Sequence, residues 1–107
     1  MVDIMGLMKK AQAVQAKMKD VQEELERLEV EGQSGGGMVK VTLNAKGRMK
    51  AIALDPALMK PEDREMAEDL IIAAHADARA KADRLTEEKM QAVTAGLPLP
   101  PGMKLPF

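Results

Sequence analysis

Cysteine is absent from this 107-residue chain, and histidine occurs once. Disulfides, thiol nucleophiles and cysteine-based zinc sites are therefore excluded. A single histidine is also a poor start for any other transition-metal site. Tryptophan and tyrosine are absent, and Phe107 is the one aromatic residue, so the core must be aliphatic. No apolar run exceeds the five residues Leu70 to Ala74, whereas a membrane-spanning helix needs about 20. The first residues include Asp3 and lack the apolar stretch of a secretory signal. A cytoplasmic protein is the expectation.

Ten methionines supply adaptable filling for an aromatic-free interior. A chain of this size is one small domain, and small domains bury a smaller fraction of their surface. Association with a second copy would remedy that. The net charge of −1 gives no bulk attraction to nucleic acid, but its distribution is uneven. Residues 1–31 hold five Lys/Arg against seven Asp/Glu, residues 32–60 five against one, and residues 61–95 five against nine. The middle of the chain is a basic island between acidic segments.

That island contains a hairpin signal. Two short alternating runs flank Asn44 to Gly47. Asn44 suits the start of a type I turn, and Gly47 suits the left-handed position that closes a three-residue loop. This loop sets Leu43 opposite Met49, Val41 opposite Ala51 and Val39 opposite Ala53, with all six on one face. A bulge between Met49 and Ile52 would re-aim the residues beyond it.

Residues 3 to about 27 read as a helix. Ile4, Leu7, Ala11, Val14, Met18, Val21, Leu25 and Leu28 recur at alternating spacings of three and four. Gly6 weakens its first turn. Leu28 to Glu31 alternates as a short strand, and Gly32 to Gly37 reads as a connector. Its glycines match neither the phosphate-loop pattern nor the dinucleotide fingerprint. Asp55-Pro56 ends the hairpin with a single helical turn to Met59. Pro61 opens a second long helix to about Thr94, with Leu70, Ile71, Ala74, Ala78, Ala82 and Leu85 on its apolar face. Gly96 ends it. The expected organisation is a single α-β-β-β-α domain over residues 1–95 and a tail over 96–107 with four prolines, of extended, polyproline character.

The first helix would be ~37 Å long, but a seven-residue strand spans only ~23 Å. The helix overhangs its own sheet while its apolar stripe runs to both ends. A second copy of the chain is the simplest cover. Leu7, Val14, Met18, Val21 and Leu25, with Leu70, Ala74 and Ala78 of the second helix, are the residues expected at that contact.

Several ordered pieces resemble one family. They are Gly35-Gly36-Gly37-Met38-Val39-Lys40-Val41, then Asn44 to Gly47, then Leu54-Asp55-Pro56. Asp69-Leu70-Ile71 with Ala74 to Ala78, and the closing Gly-Leu-Pro-Leu-Pro-Pro-Gly, follow. The set is similar to the YbaB/EbfC family of bacterial nucleoid-associated proteins over nearly the whole chain. Ala45 stands where that family often has glycine. The resemblance implies an α+β fold in which a three-stranded antiparallel sheet is flanked by two long helices. It also implies an intertwined, tweezer-like homodimer that binds double-stranded DNA with little sequence specificity and acts in nucleoid organisation and gene expression.

Binding of that kind works by neutralising phosphates, so it needs clustered Lys and Arg. The candidates are Lys9, Lys10 and Lys17 on the first helix, Lys40, Lys46, Arg48 and Lys50 on the hairpin, and Arg79, Lys81 and Arg84 on the second helix. Surface cations of this sort are commonly just solvated or ion-paired. The hairpin group is the least neutralised locally. The lack of aromatics to stack on bases argues against single-strand binding. His75 lies beside the small-residue face and reads as a packed or surface histidine rather than a catalytic one. No catalytic residue, metal, cofactor or small-molecule substrate is implied, since the carboxylates are interspersed with cations and form no arranged acid/base pair. Membrane binding by the first helix is disfavoured because its polar face is acidic overall. The rival reading is a dimeric adaptor that binds another protein through its Met-rich helices or Pro-rich tail.

Overall fold

The computed structural model describes residues 3–95. Helix α1 (Ile4–Arg27) leads into strand β1 (Glu29–Ser34), a glycine turn, β2 (Val39–Asn44), β3 (Met49–Leu54) and, after two single 3-10 turns, helix α2 (Arg64–Ala95). The strands form one antiparallel sheet in the order β1-β2-β3. This is the expected α+β arrangement. The Pro-rich tail and the proposed stop at Gly96 lie outside the described residues.

α1 is fixed at its start by Asp3, whose side chain accepts a 3.1 Å hydrogen bond from the Gly6 amide. The cap compensates for the weak helix propensity of glycine in the first turn. Asp55 caps the turn Pro56–Leu58 through the Ala57 amide, at 2.8 Å.

α2 lies across β1 and β2. Val39, Val41 and Leu43 are fully buried beneath it with Leu58, Ala67, Ala74 and Ala78, and Val30, Met38, Leu54, Leu70 and Ile71 close the edges of this core. Its alanines let the helix come very close. A methyl group on Gly32 would overlap the backbone of Ala78 and the carbonyl oxygen of Ala74. α2 also seals the outer edge of β1. Asp77 accepts from the Gln33 amide at 3.0 Å, and Lys81 donates to the Glu31 carbonyl at 2.8 Å. The two side chains pair with each other at 3.3 Å.

Two features differ from the sequence expectation. β1 runs on through Gly32, Gln33 and Ser34, and only Gly35–Gly37 forms the turn. Pairing with β2, and Asp77 at the Gln33 amide, satisfy backbone groups of this stretch, and the glycine is required by the helix above it. The hairpin register also shifts. Leu43 pairs with Met49 as expected, but Thr42 pairs with Ala51, so Lys50 is an extra residue, a β-bulge. Val41 therefore faces Ile52 and Val39 faces Leu54, in place of Ala51 and Ala53. The bulge puts the larger apolar side chains on the helix-covered face.

β3 has no such cover. Five of its six residues are exposed, Met49 and Ile52 among them. Leu25, Ala74 and Ala78, expected at a contact between copies, are instead buried inside the single chain. Leu70 is half-buried against the same core. The reason is the close α2–sheet approach, together with the docking of the hairpin on the end of α1 described below.

Replacing Gly32 by Ala is expected to cost about 1–3 kcal/mol, the range for an overpacked core. Urea unfolding checks this; an unchanged midpoint would show that α2 does not press on β1. The Gln33 amide first, and the Lys81 ammonium next, hold the Asp77 carboxyl below its ordinary value of 3.8. Its stabilising contribution is complete above pH 3.8 and is lost as pH falls through the lowered folded value. The stability gap between the parent chain and Asp77→Asn should therefore be constant at neutral pH and shrink in acid. A gap that widens on acidification contradicts this origin.

Candidate nucleic-acid interface

The hairpin turn is not a free tip. The Ala45 amide donates to the carbonyls of Leu25 and Leu28, at 3.1 and 2.9 Å, which places the turn on the last turn of α1. Ala45 is buried there. Asn44, also buried, ties the two elements together. Its side-chain amide donates to the Glu26 carbonyl at 3.3 Å, and its side-chain oxygen accepts from the Arg48 amide at 2.9 Å. The loop closes through the Gly47 amide on the Asn44 carbonyl, with Gly47 at a φ of 93°. This is the left-handed closing position read from the sequence.

These bonds position a basic depression of about 480 Å³ lined by Glu26, Arg27, Asn44, Lys46, Arg48 and Lys50. Four of the six lining residues are cationic and one is acidic. Lys46 pairs with Glu26 at 3.1 Å, both partly exposed. Arg27, Arg48 and Lys50 have no ion pair among the described residues. A helix C-terminus ordinarily repels anions, because its last carbonyls carry partial negative charge. Here the carbonyls of Leu25, Glu26 and Leu28 are occupied by the Ala45 amide and the Asn44 side chain. The opposing field is thereby weakened where the cations gather.

The other candidate residues divide by location. Arg79 packs over the hairpin turn, occupying the space a side chain at Gly47 would need, and pairs with Asp83 at 3.1 Å. Lys81 is engaged at the β1 edge. Arg84 and Lys40 are exposed and carry no ion pair among the described residues. Lys40 pairs with Ala53, one register position from Val39 and Val41, and so belongs to the sheet face turned away from α2. Lys9 and Lys10 are exposed on the free half of α1, and Lys17 is exposed beside the last described turn of α2. Ten residues of helix put Lys17 ~15 Å from Arg27, and Lys9 lies further still. The structure thus gathers Lys46, Arg48 and Lys50 at one place and leaves the helix cations apart.

Arg27 is the member of this cluster that sequence reasoning missed. Glu29 pairs with Asn44, so the end of α1 must lie beside the hairpin turn. The pairing of β1 with β2 would have signalled it. Among the described residues no three His, Asp or Glu side chains converge to hold a metal ion. His75 is half-buried on α2. No helix among the described residues is long and apolar enough to cross a membrane.

Comparison with known proteins agrees with this architecture. A nucleoid-associated protein of Methylocella silvestris is 65% identical over 107 residues, covering all of both chains. A nucleoid-associated protein of Agrobacterium fabrum is 55% identical, again over the full length of both. The crystal structure of an uncharacterized Helicobacter pylori protein superposes with a TM-score of 0.69 at 22% identity, covering 91% of this chain and 98% of that one. At that identity the likeness establishes the fold alone. The model of the YbaB/EbfC DNA-binding family matches residues 1–97, and on that match and those relatives the chain belongs to the YbaB/EbfC DNA-binding family.

Proposed function

We propose that the protein binds duplex DNA as a homodimer with little sequence preference, and that the depression at the end of α1 receives the phosphate backbone. The observation that carries this reading is the convergence of Arg27, Lys46, Arg48 and Lys50 on one concavity with Glu26 as its single acid. Duplex DNA presents a phosphate charge about every 1.7 Å, and neutralising those charges releases counterions. Four cations, three on the docked hairpin and one at the end of α1, supply such contacts and read no base edge. The DNA-bound nucleoid is where such a protein would reside, as the names of its relatives suggest.

Dimerisation is supported by β3. The outer edge of β1 is sealed by Asp77 and Lys81, but β3 presents exposed Met49 and Ile52 beside an open strand edge. Open, apolar strand edges are templates for pairing. A second copy would cover the edge and double the number of phosphate contacts. An obligate single chain would leave this surface in water.

Fluorescence anisotropy with a labelled duplex tests the first claim. Binding should be saturable at low salt and weaken steeply as salt rises. Arg48→Gln with Lys50→Gln removes two contacts from each copy, and the slope of log affinity against log salt should fall by about 4 for a dimer. Unchanged affinity and slope would move the contact to Lys9, Lys10 and Lys17. Light scattering tests the second claim. The parent chain should show twice the 11.6 kDa chain mass, and Ile52→Glu should shift it towards the single-chain value. A monomeric parent at micromolar concentration contradicts the dimer.

A further inference from the structure

The N-terminal half of α1 lacks cover among the described residues, and the point at which cover stops is informative. α1 and α2 run antiparallel. Lys89 pairs with Glu24 at 2.8 Å, and Ala92 and Val93 line a depression with Lys17, Asp20 and Val21. α2 is described as far as Ala95, and its last described turn lies beside this part of α1. Leu25 is 1% exposed, Val21, Met18 and Val14 are intermediate, and Leu7 and Ile4 are 55% and 67% exposed. One apolar stripe thus passes from buried to bare along α1, away from the described part of α2.

Residues 96–107, outside the described region, follow Ala95 in the chain. Their large apolar side chains, Leu97, Leu99, Met103, Leu105 and Phe107, are spread along the whole segment. The prolines disfavour helix and limit the freedom lost on docking. Reach is sufficient: α1 from Lys17 back to Ile4 is ~21 Å, and twelve extended residues span ~40 Å.

We propose that this tail docks on the α1 stripe of its own chain, running antiparallel to α1, with Leu97 and Leu99 against Val14, Ala11 and Leu7. A segment tethered to α2, whose last described turn lies beside the stripe, has an effective concentration that a separate molecule lacks. The second copy has a different open surface to cover, at β3. The proposal does not rest on the DNA-binding reading.

The chain contains no Trp or Tyr, so Leu99→Trp gives a single reporter. Its emission should be blue-shifted and shielded from acrylamide. Adding Leu7→Glu should return it to that of a solvated tryptophan, with far-ultraviolet circular dichroism unchanged. Refolding Leu99→Trp chains with an excess of Leu7→Glu chains should leave the emission as it was, because each reporter keeps its own intact α1. Solvated emission from the Leu99→Trp chain overturns the proposal. Shielded emission that ignores Leu7→Glu overturns it too, as does a red shift in the mixed sample, which would put the tail on the partner's helix.

Discussion

The backbone of α2 rests on β1 with no side chain between them at Gly32, and most of the molecule's asymmetry follows from that contact. A helix with its side chains is about 10–12 Å across, and strands are spaced about 4.8 Å apart. A helix seated so closely on β1 covers two strands and misses the third. Val39 and Val41 on the central strand are fully buried, whereas Ile52, the cross-strand partner of Val41, is 43% exposed. The same placement brings Asp77 and Lys81 to the outer edge of β1. One edge of the sheet is closed by the chain's own helix, and the other is left for a different partner. The proposed homodimer is the consequence of this unequal cover.

The second constraint is the docking of the hairpin turn on the end of α1. A helix end leaves carbonyls without partners. The Ala45 amide and the Asn44 side chain provide donors for three of them. The turn is therefore held at two points, and the basic residues around it share one concavity. Exposed ion pairs and single surface cations contribute little individually. Their value here lies in number and fixed placement, since phosphate binding scales with the count of neutralised charges. The chain belongs to a DNA-binding family, and the cluster is the place proposed for that binding.

Much of the fold was legible from residue type and spacing. The alternating three-and-four stripe defined α1, Asn44 and Gly47 defined the turn, and Asp55-Pro56 with Pro61 marked the passage to α2. What was not legible depended on tertiary contact. Gly32 reads as loop by propensity, and only the helix above it explains why a glycine continues a strand. The bulge at Lys50 has no local signal, because either register aligns apolar residues with Val39 and Val41. Ala74 and Ala78 signalled close approach, but not that their neighbour is the chain's own β1. Of the candidate site, Lys46, Arg48 and Lys50 were readable as a hairpin cluster. Arg27 was not, because its place depends on strand pairing two residues further on. Arg79 and Lys81 looked available in sequence and are held by Asp83, Asp77 and the Glu31 carbonyl.

The central claim is that DNA is held where α1 meets the hairpin. Amide hydrogen exchange of the full chain, followed by mass spectrometry with and without a duplex of random sequence, tests it directly. The account predicts that duplex slows exchange in peptides covering the end of α1 and the turn from Asn44 to Lys50. Protection confined to the free half of α1, around Lys9 and Lys10, would contradict it.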